Sequence, residues 1–173
     1  MQDPSDQEYV DYVTARMPAL RRLAFLLAGD EHRADDLVQQ TITTLYLKWH
    51  RAQAAEHLDA YVRTMLVRTY LNERRLAWAR VRLVRDTPER ASSDDSGIED
   101  RHVVRAALAQ LPRRQRAVLV LRFLSDLPVD EVAEMLGCSS GTVKSHTSRG
   151  LASLRRLLEQ REFALTPHEL RSR

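Results

Sequence analysis

The sequence predicts an all-α chain: two small helical modules joined by an acidic flexible linker. Three observations carry this. Apolar residues recur at steps of three and four, and no strand-like alternation runs longer than a few residues. The 173 residues include only 5 glycines and 6 prolines, while leucine, alanine and arginine abound. The pattern fails at one long stretch, DTPERASSDDSG, where Pro, Gly, Ser and acids replace the hydrophobic period.

The elements follow in order. Tyr9, Val13, Met17, Leu20, Ala24 and Leu27 mark a helix over 6–28. Gly29 suits the left-handed residue that ends it, and Asp30 suits the cap of the next helix, 31–50. Ala34, Val38, Ile42, Leu45 and Trp49 line its apolar face; Asp36, Gln40, Thr43 and Leu47 lie opposite. A third helix covers 57–81, with Leu58, Val62, Met65, Leu66, Thr69 and Leu76 inward. Its outward face mixes Arg63, Arg68, Arg74 and Arg75 with Thr64, Val67, Leu71 and Trp78. This first module, 1–81, is followed by the linker, 82–98. The second module, 99–160, comprises helices over 99–110, 112–124, 128–136 and 139–160, with Pro112 and Pro128 suited to first-turn positions. Residues 161–173 form a tail without a legible motif.

Charge is segregated. The net charge of +3 is unevenly spread: it includes −4 over residues 1–60, +6 over 61–85, −5 over 86–100 and +4 over 139–161. Two basic segments separated by an acidic one suggest two contact surfaces for a polyanion. A single cysteine, Cys138, excludes an intramolecular disulfide and a multi-cysteine zinc site. No apolar run approaches the roughly 20 residues of a membrane span, so no membrane insertion is expected. The opening MQDPSDQEYV is acidic and polar, unlike a signal peptide, and the expected location is cytoplasmic.

The second module ends in a helix-turn-helix pattern. VDEVAEMLG reads as a short helix closed by Gly137, Cys138 and Ser139 form the turn, and Ser139 can cap the helix that follows. On that helix Val143, Thr147, Gly150, Leu154 and Leu158 share one face. The other face carries Lys144, Ser145, Ser148, Arg149, Ala152, Arg155 and Arg156. Small polar and basic residues there suit a major groove, and the amides around Thr142 suit a phosphate. On the third helix, arginines interleaved with apolar groups suit phosphates and unstacked bases. His32, Asp35 and Asp36 lie at metal-ligand spacing, but Asp35 and Asp36 point about 100° apart and no second cluster supports them. No phosphate-binding glycine loop or nucleophile motif is present, so neither a metal, a cofactor nor a catalytic residue is expected, and the chain is not read as an enzyme.

The stretches DDLVQQTITTLYLKW, AYVRTMLVRTYLNERR and LPRRQRAVLVLRFLSDLPVDEVAEMLGCSSGTVKSHTSRGLASLR occur in this order. Together they resemble a bacterial RNA polymerase sigma factor of the extracytoplasmic-function, sigma-70-like group, of the actinobacterial sigma-E type. The resemblance spans about residues 8–158. The last block by itself would also suit a stand-alone helix-turn-helix regulator of the LuxR type. An all-helical first module, without the alternating strands and helices of a sensor domain, separates the two.

The resemblance implies that the first module is sigma region 2 and the second is sigma region 4. It implies binding to core RNA polymerase and promoter-specific initiation, in a stress or envelope response. Asp36, Gln39 and Gln40 would meet the polymerase. Arg63, Arg68, Asn72 and Arg75 would capture the minus-ten element, with Trp49 and Trp78 structural. Lys144, Ser145 and Ser148 would meet bases of the minus-thirty-five element, with Thr142 and Arg149 on or near phosphates. Implied partners are core RNA polymerase, promoter DNA both duplex and melted, and an anti-sigma factor; the location would be the nucleoid through RNA polymerase. The acidic linker would lie in the path of nascent RNA. Two residues depart from the usual pattern: Arg68 stands where many members have asparagine, and Pro128 stands near a position usually filled by a capping Ser or Thr.

Overall fold

The computed structural model describes the backbone of residues 4–77 and 96–165, with the side chains of 5–73 and 100–160. The expected linker therefore lies almost wholly outside the described residues, as do Trp78, the side chain of Arg75 and residues 166–173.

Among the described residues every regular element is helical. The first four are α1 (Pro4–Ala28), α2 (Glu31–Leu47), α3 (Trp49–Gln53) and α4 (Leu58–Ala77). The last four are α5 (Ser96–Ala109), α6 (Arg113–Leu119), α7 (Val129–Leu136) and α8 (Ser140–Leu165). The α1–α2 corner follows its local chemistry. Gly29 has φ of 78° and its N–H donates to Phe25 O at 2.8 Å. Asp30 Oδ1 then accepts from the amides of His32 and Arg33, two donors the helix itself leaves unpaired.

The expected helix over 31–50 breaks at Lys48, where φ is −117°, and restarts as the single turn α3. Trp49 is the reason for the new direction. Its ring is buried against Tyr9 (edge-on, centroids 5.4 Å apart) and Tyr12 (5.7 Å), which ties α3 to α1. Tyr9 also donates to Ile42 O, and Tyr12 to Asp59 Oδ1. The structural role expected of Trp49 is the one it has.

The expected helix over 112–124 is also two pieces. After α6 the chain widens into a π turn, Val120–Leu124, with the Ser125 amide reaching back to Val120 O. The wider turn keeps Val120 and Leu121 buried while Phe123 and Leu124 face outward. Asp126 (φ 52°) then turns the chain into α7, in a left-handed conformation that aspartate tolerates better than most residues. Pro112 and Pro128 occupy the N-cap positions of α6 and α7, one residue before the first turn, and their carbonyls accept the opening helical bonds.

The two modules pack against each other. One apolar core runs from α1, α2 and α4 through Ala117, Val118, Val120 and Leu121 to Val132, Ala133, Met135 and Val143. A smaller cluster, Leu108, Leu111 and Leu119 with Leu154 and Leu157, belongs to the second module alone. Val67, expected on the outward face of α4, is 0% exposed and part of the shared core. Apolar groups such as Val67 on that face are expected to pack in part on the first helix; in the structure α4 is covered on one side by α1 and α2 and on another by α7.

Candidate nucleic-acid interface

The helix-turn-helix is built by capping chemistry. Gly137 (φ 62°) lets α7 end in the left-handed cap, with the Gly137 amide on Glu134 O and the Cys138 amide on Ala133 O. Ser139 Oγ accepts from the Thr142 amide at 3.1 Å and lies 2.9 Å from the Thr142 hydroxyl. Ser140 donates to Asp130 Oδ1 at 2.6 Å, which fastens the start of α8 to the start of α7. Ser139→Ala is expected to destabilise the second module by about 1 kcal/mol, the usual cost of an N-cap, measured as a shift in urea unfolding midpoint.

These contacts fix which way α8 faces. Val143 and Gly150 are buried against the module, with Thr147, Leu154 and Leu158 half-buried beside them. Lys144, Ser148, Arg149, Ala152, Arg155 and Arg156 are exposed; Ser145 and Thr142 are half-buried. The residues expected at the minus-thirty-five element thus lie along the first two and a half turns of one helix. His146 lies among them, and sequence reasoning passed over it. Burial, and then the nearby Arg114 and Arg149 cations, hold its pKa below the ordinary value. The positive charge of this surface therefore comes from Lys144 and the arginines.

Four of the other expected residues, Gln39, Gln40, Arg68 and Asn72, line a cleft of about 1200 Å³ between α2, α4 and α7. Gln39 and Gln40 line one wall, Arg68 and Asn72 a second, and Glu131, Glu134 and Met135 of α7 the third. Asp36 is exposed one turn before Gln40. Leu47, at the end of the same helix, is 78% exposed. Arg63 is ion-paired to Glu131 at 3.7 Å, and the Arg68 guanidinium donates to Met135 O at 3.1 Å and Glu134 O at 3.5 Å. Asn72 is exposed, and Arg75 lies on α4 with its side chain outside the described residues.

Three residues at the junction went unread in the sequence. Glu73 pairs with Arg113 at 2.5 Å, and Arg113 covers the ring of the buried Tyr70 at 4.2 Å. Arg116 reaches Leu27 O, Ala28 O, Ala109 O and Leu111 O. Its burial pulls its pKa down from the usual value, and the C-terminal ends of α1 and α5 face it with their carbonyls. A basic run such as RRQR carries no signal that one of its members is buried.

Comparison with known proteins agrees with this architecture. The family model described as Sigma-70 region 2 matches residues 12–80, and that of Sigma-70, region 4 matches residues 101–154. The RNA polymerase sigma-E factor of Streptomyces avermitilis is 37% identical over 162 residues, covering 90% of this chain and 88% of that protein. The sigma-E factor of Streptomyces coelicolor is 34% identical over 162 residues, covering 90% and 89%. Among solved structures, the sigma factor RpoE of Bartonella quintana, in complex with the anti-sigma factor NepR, superposes with a TM-score of 0.67. It is 25% identical, covering 88% of this chain and 98% of that one. A match to region 2 in the first module removes the stand-alone LuxR-type regulator from consideration. With both regions matched in order and relatives alike over nine-tenths of the chain, the protein belongs to the sigma-70 family of RNA polymerase sigma factors, in the extracytoplasmic-function group.

Proposed function

We propose that this sigma factor docks on core RNA polymerase through the exposed face of α2 and directs initiation by reading two promoter elements. Asp36, Gln39 and Gln40 make the polymerase contact. Arg63, Arg68, Asn72 and Arg75 hold the minus-ten strand once it melts, the cations on phosphates and the amide on an extruded base. Thr142, Lys144, Ser145, Ser148 and Arg149 read the minus-thirty-five duplex. Residues 1–81 and 99–160 act as the two reading modules, and linking them raises the effective concentration of the second once the first is bound. An anti-sigma factor is a further partner, as in the Bartonella complex. The chain contributes specificity, and the bond-making stays with the polymerase.

The observation that carries this reading is the surface of α8: a capped helix whose outward side is basic and small-polar, within a matched region 4. Its companion is α2, whose polar face stays uncovered. The test is co-elution of the purified protein with bacterial core RNA polymerase on a sizing column. Wild type is expected to co-elute stoichiometrically. Asp36→Arg, an exposed charge reversal that leaves the fold alone, is expected to weaken binding by about tenfold or more, the scale of losing one interfacial charge contact. Absence of wild-type binding would overturn the proposal.

A further inference from the structure

We infer that the DNA-reading surface continues from α8 onto α6: Arg114, His146 and Arg149 form a seat for one backbone phosphate of the duplex, and His146 takes up a proton as that phosphate enters. The inference deepens the function proposed above for α8 and rests on it. Its basis is a place where two helices bring cationic groups together and leave them unpaired. Gly150 sets α8 close to Gln115 of α6, and His146 stands one turn earlier on α8. Arg114, the neighbour of Gln115, acts on the imidazole from α6, and Arg149 acts on it from the next turn of α8.

Arg114 is the cation of the RRQR run that the fold leaves uncommitted. Arg113 is held by Glu73, and Arg116 by carbonyls at the ends of α1 and α5. Arg114 and Arg149 are exposed, and neither meets a carboxylate among the described residues. The acids of α7 are engaged elsewhere: Asp130 on Ser140, Glu131 on Arg63, and Glu134 along the cleft. From α5, Leu108 packs beside Leu154 and Leu157, two turns or more beyond His146. The site therefore gathers positive charge that no side chain described here offsets. Because Arg114 stands on α6, beside the helix that enters the groove, it faces the sugar-phosphate wall and not the base edges.

The ring is oriented for such a ligand. Its Nδ1 is buried without a partner, which leaves Nε2 to meet an incoming anion. In the free protein, burial and then the Arg114 and Arg149 cations keep the ring neutral at pH 7. A phosphate among the three groups reverses that balance, since an opposite charge favours the imidazolium. The phosphodiester has no proton to give, so the proton comes from solvent and stays on the ring. Titration is thus lowered in the free ring and raised in the bound one. Binding strengthens as pH falls through the interval between the two; below it the ring is charged in both states, and above it in neither.

The first experiment follows the histidine ring signals of the full chain by NMR across a pH series, alone and with a short duplex of arbitrary sequence at low salt. Backbone phosphates are the same in every sequence, so no promoter is needed. His146→Gln assigns the signal. The His146 signal is expected to titrate at higher pH with duplex than without, and Arg114→Gln, at an exposed position, is expected to shrink that rise. A duplex that leaves the His146 titration unmoved, or that does not bind, overturns the seat. The second experiment measures the holoenzyme on a duplex it has selected from random sequence. Wild-type affinity is expected to tighten about threefold from pH 8 to pH 6. His146→Gln is expected to lose that gain. Arg114→Gln is expected to bind about tenfold more weakly and to lower the slope of log affinity against log salt by about one. Equal pH dependence in wild type and His146→Gln overturns the proton uptake. A holoenzyme that selects no duplex sinks the functional reading of α8, while the titration of the free chain still decides the seat.

Discussion

Arg116→Ala is expected to lower the stability of the folded protein by about 3 kcal/mol, the scale of removing one partner from a buried charged network. The guanidinium donates to Leu27 O and Ala28 O at the end of α1 and to Ala109 O and Leu111 O at the end of α5. Those of Leu27, Ala28 and Ala109 are terminal helical carbonyls, which have no partner within their own helices, and that of Leu111 lies in the bend just after α5. Alanine leaves all four without a donor and opens a gap beside Ala117 and Val118. The Arg116 side chain is 7% exposed, so water does not replace it freely. One feature already counts against the wild-type residue: Nε of Arg116 is buried without a partner. Arg116→Lys is expected to recover little, because one ammonium cannot span carbonyls on two helices as a planar fork does. For a chain of this size the melting temperature should fall by roughly 6–12 °C, read by calorimetry or circular dichroism. A fall below about 1 kcal/mol would mean that the carbonyls find other donors and that Arg116 is not the tie between the modules.

Gly150→Leu is expected to cost about 3 kcal/mol through overpacking, whereas Gly150→Ala should change stability by less than about 1 kcal/mol. Here α8 packs against α6. A Cβ on residue 150 would lie 3.1 Å from Leu119 Cδ1, 3.2 Å from Leu119 Cγ and 3.5 Å from Gln115 Cβ. Alanine asks Leu119 to shift by a few tenths of an ångström, and the better helix propensity of alanine offsets that strain. Leucine has no room, because Leu119 is 3% exposed and packed among Leu108, Leu111, Leu154 and Leu157. The helices must separate, and α8 carries Lys144, Ser148 and Arg149 away with it. Duplex binding by the assembled holoenzyme should fall along with stability. Chemical unfolding of the two variants decides the matter: equal, small effects would show that α6 and α8 have slack at this crossing.

The elements themselves were legible in the sequence. The three-to-four residue period located the helices because burial of one stripe is set by residues within two turns of each other. Gly29 with Asp30, and Gly137 with Ser139, could be placed for the same reason: a left-handed cap and an N-cap act within three residues. The outward side of α8 followed from Val143 and Gly150, whose burial fixes where Lys144, Ser148 and Arg149 point. The break at Lys48 and the π turn after Leu119 were not legible. Each answers to a distant contact, Trp49 on Tyr9 and Leu121 in the shared core.

What the sequence by itself determined about this protein is its helices, their caps, the helix-turn-helix and the family that carries them. What only the tertiary structure decided is how the modules meet. Val67 and Arg116 show the difference. One is an apolar residue on a face rich in arginine and the other belongs to the basic run RRQR, yet both are buried. Arg116 finds its carbonyl on Leu27 across 89 residues, and Arg68 finds Met135 across 67. No local period records such pairs. Their energy depends on which surfaces are brought together, and that is settled by the packing of the whole chain rather than by any residue's neighbours.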